Sequence, residues 1–320
     1  MVEVGPDADC QQGRVSMFPR VIATAAAILL LVVEAGPARS QSHRPFAVKT
    51  PDGINISAQE WGNPNGREIV FIHGFMQSHL SWSKQIRDPG LAKQFRMISY
   101  DFRGHGGSDK IMDPNLYGNG EAYAEELNAV IAAASLRRPV LVGWSYGTRI
   151  ISDYLVRYGS QRIAGINFVG AVGNNDPMHF GSAMPLIPKT ATEDLAQSIE
   201  ATKAFIHGCF EKQPTAEEFE TILAFNMVVP AKIRGWLRRP APSYELALRS
   251  VTVPTLVTHG VEDRILSIGL GKYLVTTVPG AKASFYQGIG HAPFWEDAPR
   301  FNQELSEFVN RSAPRGKSDP

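Results

Sequence analysis

Cysteine is nearly missing from this sequence: 320 residues hold only Cys10 and Cys209. A disulfide framework is thereby excluded. An excess of charge of one sign is missing too. Lys and Arg number 32 against 31 Asp and Glu, for a formal net charge of +1. Such a balance gives no field that would draw the chain to nucleic acid or to acidic lipid. No internal repeat, low-complexity tract, phosphate-binding glycine loop or Cys/His metal cluster appears. No metal and no organic cofactor is expected. The densest basic cluster, Lys232, Arg234, Arg238 and Arg239, reads as a solvated helix face.

Long apolar runs are also scarce. The most apolar stretch, Val21 to Val33, has Arg14 and Arg20 before it and Glu34, Gly36 and Pro37 after it. It falls short of the ~20 residues that span a bilayer, and it matches the apolar core of a secretory signal peptide. Ala38-Arg39-Ser40 offers small residues for cleavage before Gln41. Residues 1–40 are therefore expected to be a signal peptide or an N-terminal anchor, with Met17 as an alternative start. The protein is expected to be exported, or else anchored through residues 21–33. Without a retained anchor no stable membrane contact is expected. Cleavage would remove Cys10 and leave Cys209 as a single thiol, read as a small buried apolar residue.

What the chain does contain is a sharp local signal. Gly143-Trp144-Ser145-Tyr146-Gly147 follows the apolar run Pro139-Val140-Leu141-Val142. Ile150, Ile151, Tyr154, Leu155 and Tyr158 then recur at helical spacing before Gly159. Strand, tight turn and helix are the context in which Gly-x-Ser-x-Gly lifts a serine hydroxyl above a sheet edge. The glycines matter because the turn leaves no room for a Cβ two positions either side of the serine.

Other strands are expected at Phe46–Thr50, Ile54–Trp61, Glu68–His73, Phe95–Asp101, Ile166–Val172, Val253–His259 and Lys282–Tyr286, with helical patterns such as Glu121–Ala134 between them. This alternation predicts an α/β fold, with a mainly parallel eight-stranded sheet and helices on both faces. Residues 41–173 and 251–312 would form the core, and 313–320 a flexible tail. Residues 174–250 show helical patterns and no clear strand, so a helical lid is expected before the strand at 253–259. Its scattered aromatics, Phe205, Phe210, Phe219, Phe225 and Trp236, are expected to fill the lid's own core.

A serine hydroxyl needs a base, and the base needs an orienting carboxylate. His291, in Gly288-Ile289-Gly290-His291-Ala292-Pro293, sits in a glycine-rich loop after the last strand and is the candidate base. His73, His105 and His259 are expected to be structural. Asp263, in Thr258-His259-Gly260-Val261-Glu262-Asp263, is the favoured carboxylate, with Glu262 and Asp176 as alternatives. A developing oxyanion needs two backbone donors. The candidates are the N–H of Tyr146, just after the serine, and that of Phe75, after Gly74.

Five motifs in order, His73-Gly74-Phe75, the segment Asp101 to Asp109, Gly143 to Gly147, Thr258-His259-Gly260 with Asp263, and Gly290-His291-Ala292-Pro293-Phe294, together resemble the α/β-hydrolase superfamily from about Phe46 to Val309. The nearest likeness is to serine esterases and cofactor-free haloperoxidase-like perhydrolases. Relatives that are dehalogenases or epoxide hydrolases carry aspartate at the elbow, where this chain has Ser145. Thr148 stands where many relatives have another glycine and is expected to alter packing under the elbow. The resemblance implies a serine hydrolase that cleaves carboxylic esters of small molecules through an acyl-serine intermediate. Alternatives are a perhydrolase, lactonase or carbon–carbon bond hydrolase on the same residues, or a ligand-binding receptor on a hydrolase fold.

Overall fold

The computed structural model describes residues 43–312, apart from 175 and 239–241. The expected leader and the expected tail at 313–320 lie outside the described residues.

Eight strands form one sheet: β1 (Arg44–Lys49), β2 (Asn55–Gly62), β3 (Arg67–Ile72), β4 (Phe95–Asp101), β5 (Val140–Trp144), β6 (Gly165–Val169), β7 (Thr255–Gly260) and β8 (Lys282–Tyr286). Their spatial order is β1-β2-β4-β3-β5-β6-β7-β8. β1 pairs antiparallel with β2, and β2 with β4; every pairing from β4 to β8 is parallel. All residues of β5 and β6 are buried, so both sheet faces are covered there. That explains why these strands read as unbroken apolar runs rather than as alternations. Most expected strand limits shift by one to three residues, two of them for a visible reason. β6 stops at Val169 because Gly170 turns to φ +50°. β7 begins only after Pro254, which lacks an amide proton for the ladder.

Longer helices lie between the strands and after the last: α1 (Gly120–Ala133), α2 (Tyr146–Tyr158), α3 (Leu195–Cys209), α4 (Ala216–Met227), α5 (Ile268–Thr277) and α6 (Ala298–Ser312). In α6, Phe301, Leu305, Phe308, Val309 and Ser312 are buried, the stripe of a helix laid on a core. Thr215 and Glu218 cap α4 reciprocally.

β4 lies on one side of β3 and β5 on the other. The chain reverses its direction of travel across the sheet at that point. In open α/β sheets such a switch point opens a crevice beyond the carboxyl ends of the strands. The segments after β3 and β5 carry His73-Gly74-Phe75 and Ser145.

Between β6 and β7 the described residues form helices, turns and one isolated bridge, Phe180 to Leu266. This is the helical insertion. Phe205 reaches out of it, with its ring 6.2 Å from that of Phe75 and edge-on to it. The basic cluster departs from expectation. Lys232 and Arg238 are exposed, but Arg234 is 1% exposed. Its guanidinium donates to the carbonyls of Val229 (2.7 Å), Thr190 (3.0 Å) and Asn226 (3.1 Å), and to Ser198 Oγ (3.0 Å) and Thr202 Oγ1 (3.1 Å). One cation thus ties α3 and the end of α4 together. Burial pulls its pKa down to about 10.

Replacing this hub leaves several buried carbonyls without their donor, so Arg234→Met is expected to destabilise the protein by about 3 kcal/mol. Urea unfolding measures it. A loss under roughly 0.5 kcal/mol, usual for an exposed position, would contradict the hub assignment.

Candidate active site

Ser145 is the junction of β5 and α2, and its backbone is in a sparsely populated region, φ 52° and ψ −116°. Only tight surroundings hold a non-glycine residue there. A Cβ on Gly147 would lie 2.4 Å from the carbonyl oxygen of Ile72, and one on Gly143 2.7 Å from the Ile151 side chain. α2 therefore starts hard against the end of β3. The Ser145 N–H donates to Val169 O at 2.9 Å. Thr148 strengthens the turn: its hydroxyl donates to Ser145 O at 2.6 Å and accepts from the Val172 N–H at 2.9 Å. The non-glycine residue at 148 is a brace rather than a disturbance. From Leu141 to Ile150, Ser145 alone is not buried.

His291 is placed from four sides. Its Nδ1 lies 2.6 Å from Asp263 Oδ2. Its N–H donates to Cys209 O at 2.8 Å, and its carbonyl accepts from Trp144 Nε1 at 2.8 Å. A Cβ on Gly170 would come within 3.0 Å of Nδ1, so only glycine leaves room for the ring. Glu296 fixes the loop itself. Its carboxylate accepts from the N–H groups of Gly290 (3.0 Å) and Ala292 (3.3 Å), and from Glu211 (3.0 Å) and Lys212 (2.8 Å) of the insertion.

Asp263 is 7% exposed. Its Oδ1 accepts from the N–H groups of Ile265 (2.8 Å) and Leu266 (2.9 Å). His259 Nε2 also stands 3.1 Å from Oδ2 and 2.8 Å from Leu266 O. Both neighbours are acceptors, so Nε2 carries the proton. Burial by itself would raise the Asp263 pKa. Attraction to His291 and hydrogen bonds from His259 and His291 outweigh it and hold the carboxyl well below the usual range. A fixed carboxylate on Nδ1 leaves the other ring nitrogen, Nε2, as the proton acceptor.

Ser145 and His291 both stand over the carboxyl end of β6, one bonded to Val169 and the other packed on Gly170. The Ser145 hydroxyl makes no hydrogen bond among the described residues. Such bonds often tighten only when substrate is in place. Of the alternative carboxylates, Glu262 accepts from the Ile289 N–H at 3.1 Å, and Asp176 is exposed and caps a short turn. Neither meets His291.

The Phe75 loop is held with equal care. Met76 sits at φ 62° and its N–H donates to His105 Nε2 at 3.2 Å. His105 Nδ1 lies 3.0 Å from Arg103 O. His73 makes the matching pair of contacts, Nε2 accepting from Phe102 N–H at 3.3 Å and Nδ1 lying 2.9 Å from Gly74 O. Both are structural, as expected. Asp101 accepts from the N–H groups of His79 (2.7 Å) and Gly107 (2.9 Å) and lies 2.9 Å from His79 Nδ1. Among the described residues the Phe75 N–H donates to no protein acceptor, and the Tyr146 N–H opens α2.

Phe75, Ser145 and Tyr146 all line one cavity of about 760 Å³. Ile187, Leu237, Ile265 and Leu266 help make its lining largely apolar. Among the described residues no group of three His, Cys, Asp or Glu could hold a metal. Sequence reasoning missed the contacts of Glu296, Trp144 and His259, since none follows from local spacing.

A strained serine on a strand-to-helix turn, beside a histidine oriented by a buried aspartate, defines a hydrolase of the α/β class. Comparison with known proteins agrees. The family model for the alpha/beta hydrolase fold matches residues 68–298. The chain is 28% identical to a non-heme haloperoxidase of Rhodococcus erythropolis, over 83% of this chain and 99% of that one. It is 27% identical to a bifunctional esterase/perhydrolase of Acinetobacter calcoaceticus, over 82% and 98%. Among solved structures, the esterase RhEst1 from Rhodococcus sp. ECU1013 superposes with a TM-score of 0.79 at 30% identity, covering 84% of this chain and 99% of its own. The chain belongs to the α/β-hydrolase family, in its haloperoxidase-like branch, and is an enzyme.

The buried imidazoles make a pH signature. Burial lowers the His73 pKa from 6.5 to about 4, and pushes that of His105 well below 6.5. Below pH 6.5 the unfolded chain takes up protons that the folded rings refuse, so stability falls as the pH drops, for His73 until about 4. The expected slope is about 1.4 kcal/mol per pH unit for each ring. Urea unfolding on the acid side of neutrality reads it, and a flat profile above the carboxylate range would contradict neutral buried histidines.

Proposed function

We propose that the enzyme hydrolyses carboxylic esters of small molecules through an acyl-serine intermediate. One observation carries this reading: Ser145 lines a cavity with mostly apolar walls, and the Asp263–His291 pair packs on the same strand end that holds the Ser145 backbone. In this reading Ser145 Oγ attacks the ester carbonyl while His291 Nε2 takes its proton. The tetrahedral oxyanion is received by the N–H groups of Phe75 and Tyr146. His291 then returns the proton to the departing alcohol. Water, deprotonated by the same imidazole, releases the acid and restores the hydroxyl. Asp263 holds the ring and favours its cation. Esterases among the similar structures and the bifunctional relative support the substrate class.

The relatives with haloperoxidase and perhydrolase in their names favour a second reading on the same residues. Hydrogen peroxide in place of water would attack the acyl-serine and leave as a peracid, with the serine proton returned through His291.

Ser145→Ala is expected to reduce ester turnover by roughly 10⁴- to 10⁶-fold. A fluorophosphonate probe should label the wild type at Ser145, and His291→Ala should block the labelling. A folded wild type that resists the probe would favour a ligand-binding receptor. Peracid release when peroxide is supplied with an ester separates the second reading from the first.

A further inference from the structure

His259 is a buried imidazole that the proposed steps leave idle. It is the last residue but one of β7 and is fully buried. Its Nε2–H lies between Leu266 O at 2.8 Å and Asp263 Oδ2 at 3.1 Å. The other ring nitrogen, Nδ1, has no hydrogen-bond partner among the described residues. α5 packs over it, since a Cβ on Gly271 would lie 3.1 Å from Nδ1. The ring is thus fixed in place, and only one tautomer serves both acceptors.

Asp263 Oδ2 is also the oxygen that receives His291 Nδ1, at 2.6 Å. The Ile265 and Leu266 amides take Oδ1. Two donors on each oxygen complete the set of about four that a carboxylate accepts. A donor that stabilises the anion lowers its affinity for a proton, and with it the strength of its bond to a neighbouring cation. The other titratable groups close by are engaged elsewhere. Glu262 accepts from the Ile289 N–H, Arg264 donates to Phe210 O, and Lys272 of α5 is exposed. Glu296 holds the amides of Gly290 and Ala292. Burial and the charges of Asp263 and Glu296 push the Cys209 thiol, at the end of α3, well above its usual pKa, so it stays neutral.

We infer that His259 is a positioning residue of the same reaction: it keeps Asp263 Oδ2 aimed at His291 Nδ1 and tempers the carboxylate's pull on the His291 cation. The inference rests on the serine-hydrolase reading above and deepens it. Without the His259 donor, Oδ2 acts on His291 alone and holds the imidazolium more tightly. The neutral ring that accepts the serine proton then appears only at higher pH. His259 thereby extends the working range of the enzyme toward acid.

The test follows the rate of fluorophosphonate labelling of Ser145 against pH, which reports the free enzyme. His259→Leu keeps the bulk and removes the donor. Its acid limb is expected to move up by about 0.5 to 1 pH unit, the size of one lost hydrogen bond. His259→Gln, whose amide can donate to the same oxygen, should bring the limb back toward the wild type. A packing role would slow labelling at every pH and leave the limb in place, and that result overturns the inference. A measurement on the wild type is independent of how the variants fold: the ring-nitrogen NMR shifts of His259, assigned through the backbone. Protonated Nε2 and bare Nδ1 are expected near neutral pH. A proton on Nδ1 instead would leave Asp263 Oδ2 without this donor and overturn the inference alone. A folded wild type that hydrolyses no ester and resists the probe overturns the serine-hydrolase reading, and the role of His259 with it.

Discussion

The site depends on one close approach, that of the start of α2 to the end of β3. Gly147 lies so near the Ile72 carbonyl that no side chain fits between them. That contact, with Thr148 holding the Ser145 carbonyl, keeps Ser145 at a positive φ that its Cβ disfavours. The strain has a geometric product. Ser145 caps the helix just before its first residue, and both it and Tyr146 line the cavity.

Around that elbow the fold spends its buried polar groups on aim. His291 is held through Asp263, Cys209, Trp144 and Glu296. Asp263 is held through two backbone amides and His259. The Phe75 loop is held through His105, and the neighbouring turns through Asp101. Glu296 also joins the histidine loop to the insertion, since Glu211 and Lys212 donate to the same carboxylate. The insertion is thus bonded to the His291 loop as well as forming cavity wall.

Much of this was legible in the chain. The apolar runs at β3, β5 and β6 announce buried strands because both sheet faces are covered. Ser145 and His291 announce themselves through glycines that tight turns demand. Asp263 stood out by its place after β7. What stayed hidden was long-range. Nothing in the pattern around Arg234 distinguishes it from its exposed neighbours Lys232 and Arg238, because its partners come from three separate segments. Glu296 reads as an ordinary first-turn acid, yet it organises two distant loops. The composition of the cavity wall was equally unreadable, because it draws on loops after β3 and β6 and on the insertion.

The central claim is that Ser145, His291 and the amides of Phe75 and Tyr146 converge on a single reacting carbon. A crystal structure of the protein inactivated by a phosphonate ester tests it most directly. The account predicts phosphorus bonded to Ser145 Oγ, one phosphonyl oxygen about 2.7–3.1 Å from both amide nitrogens, and His291 Nε2 within hydrogen-bond reach of Oγ or the leaving-group position. An adduct on another residue, or a phosphonyl oxygen turned away from both amides, would contradict it.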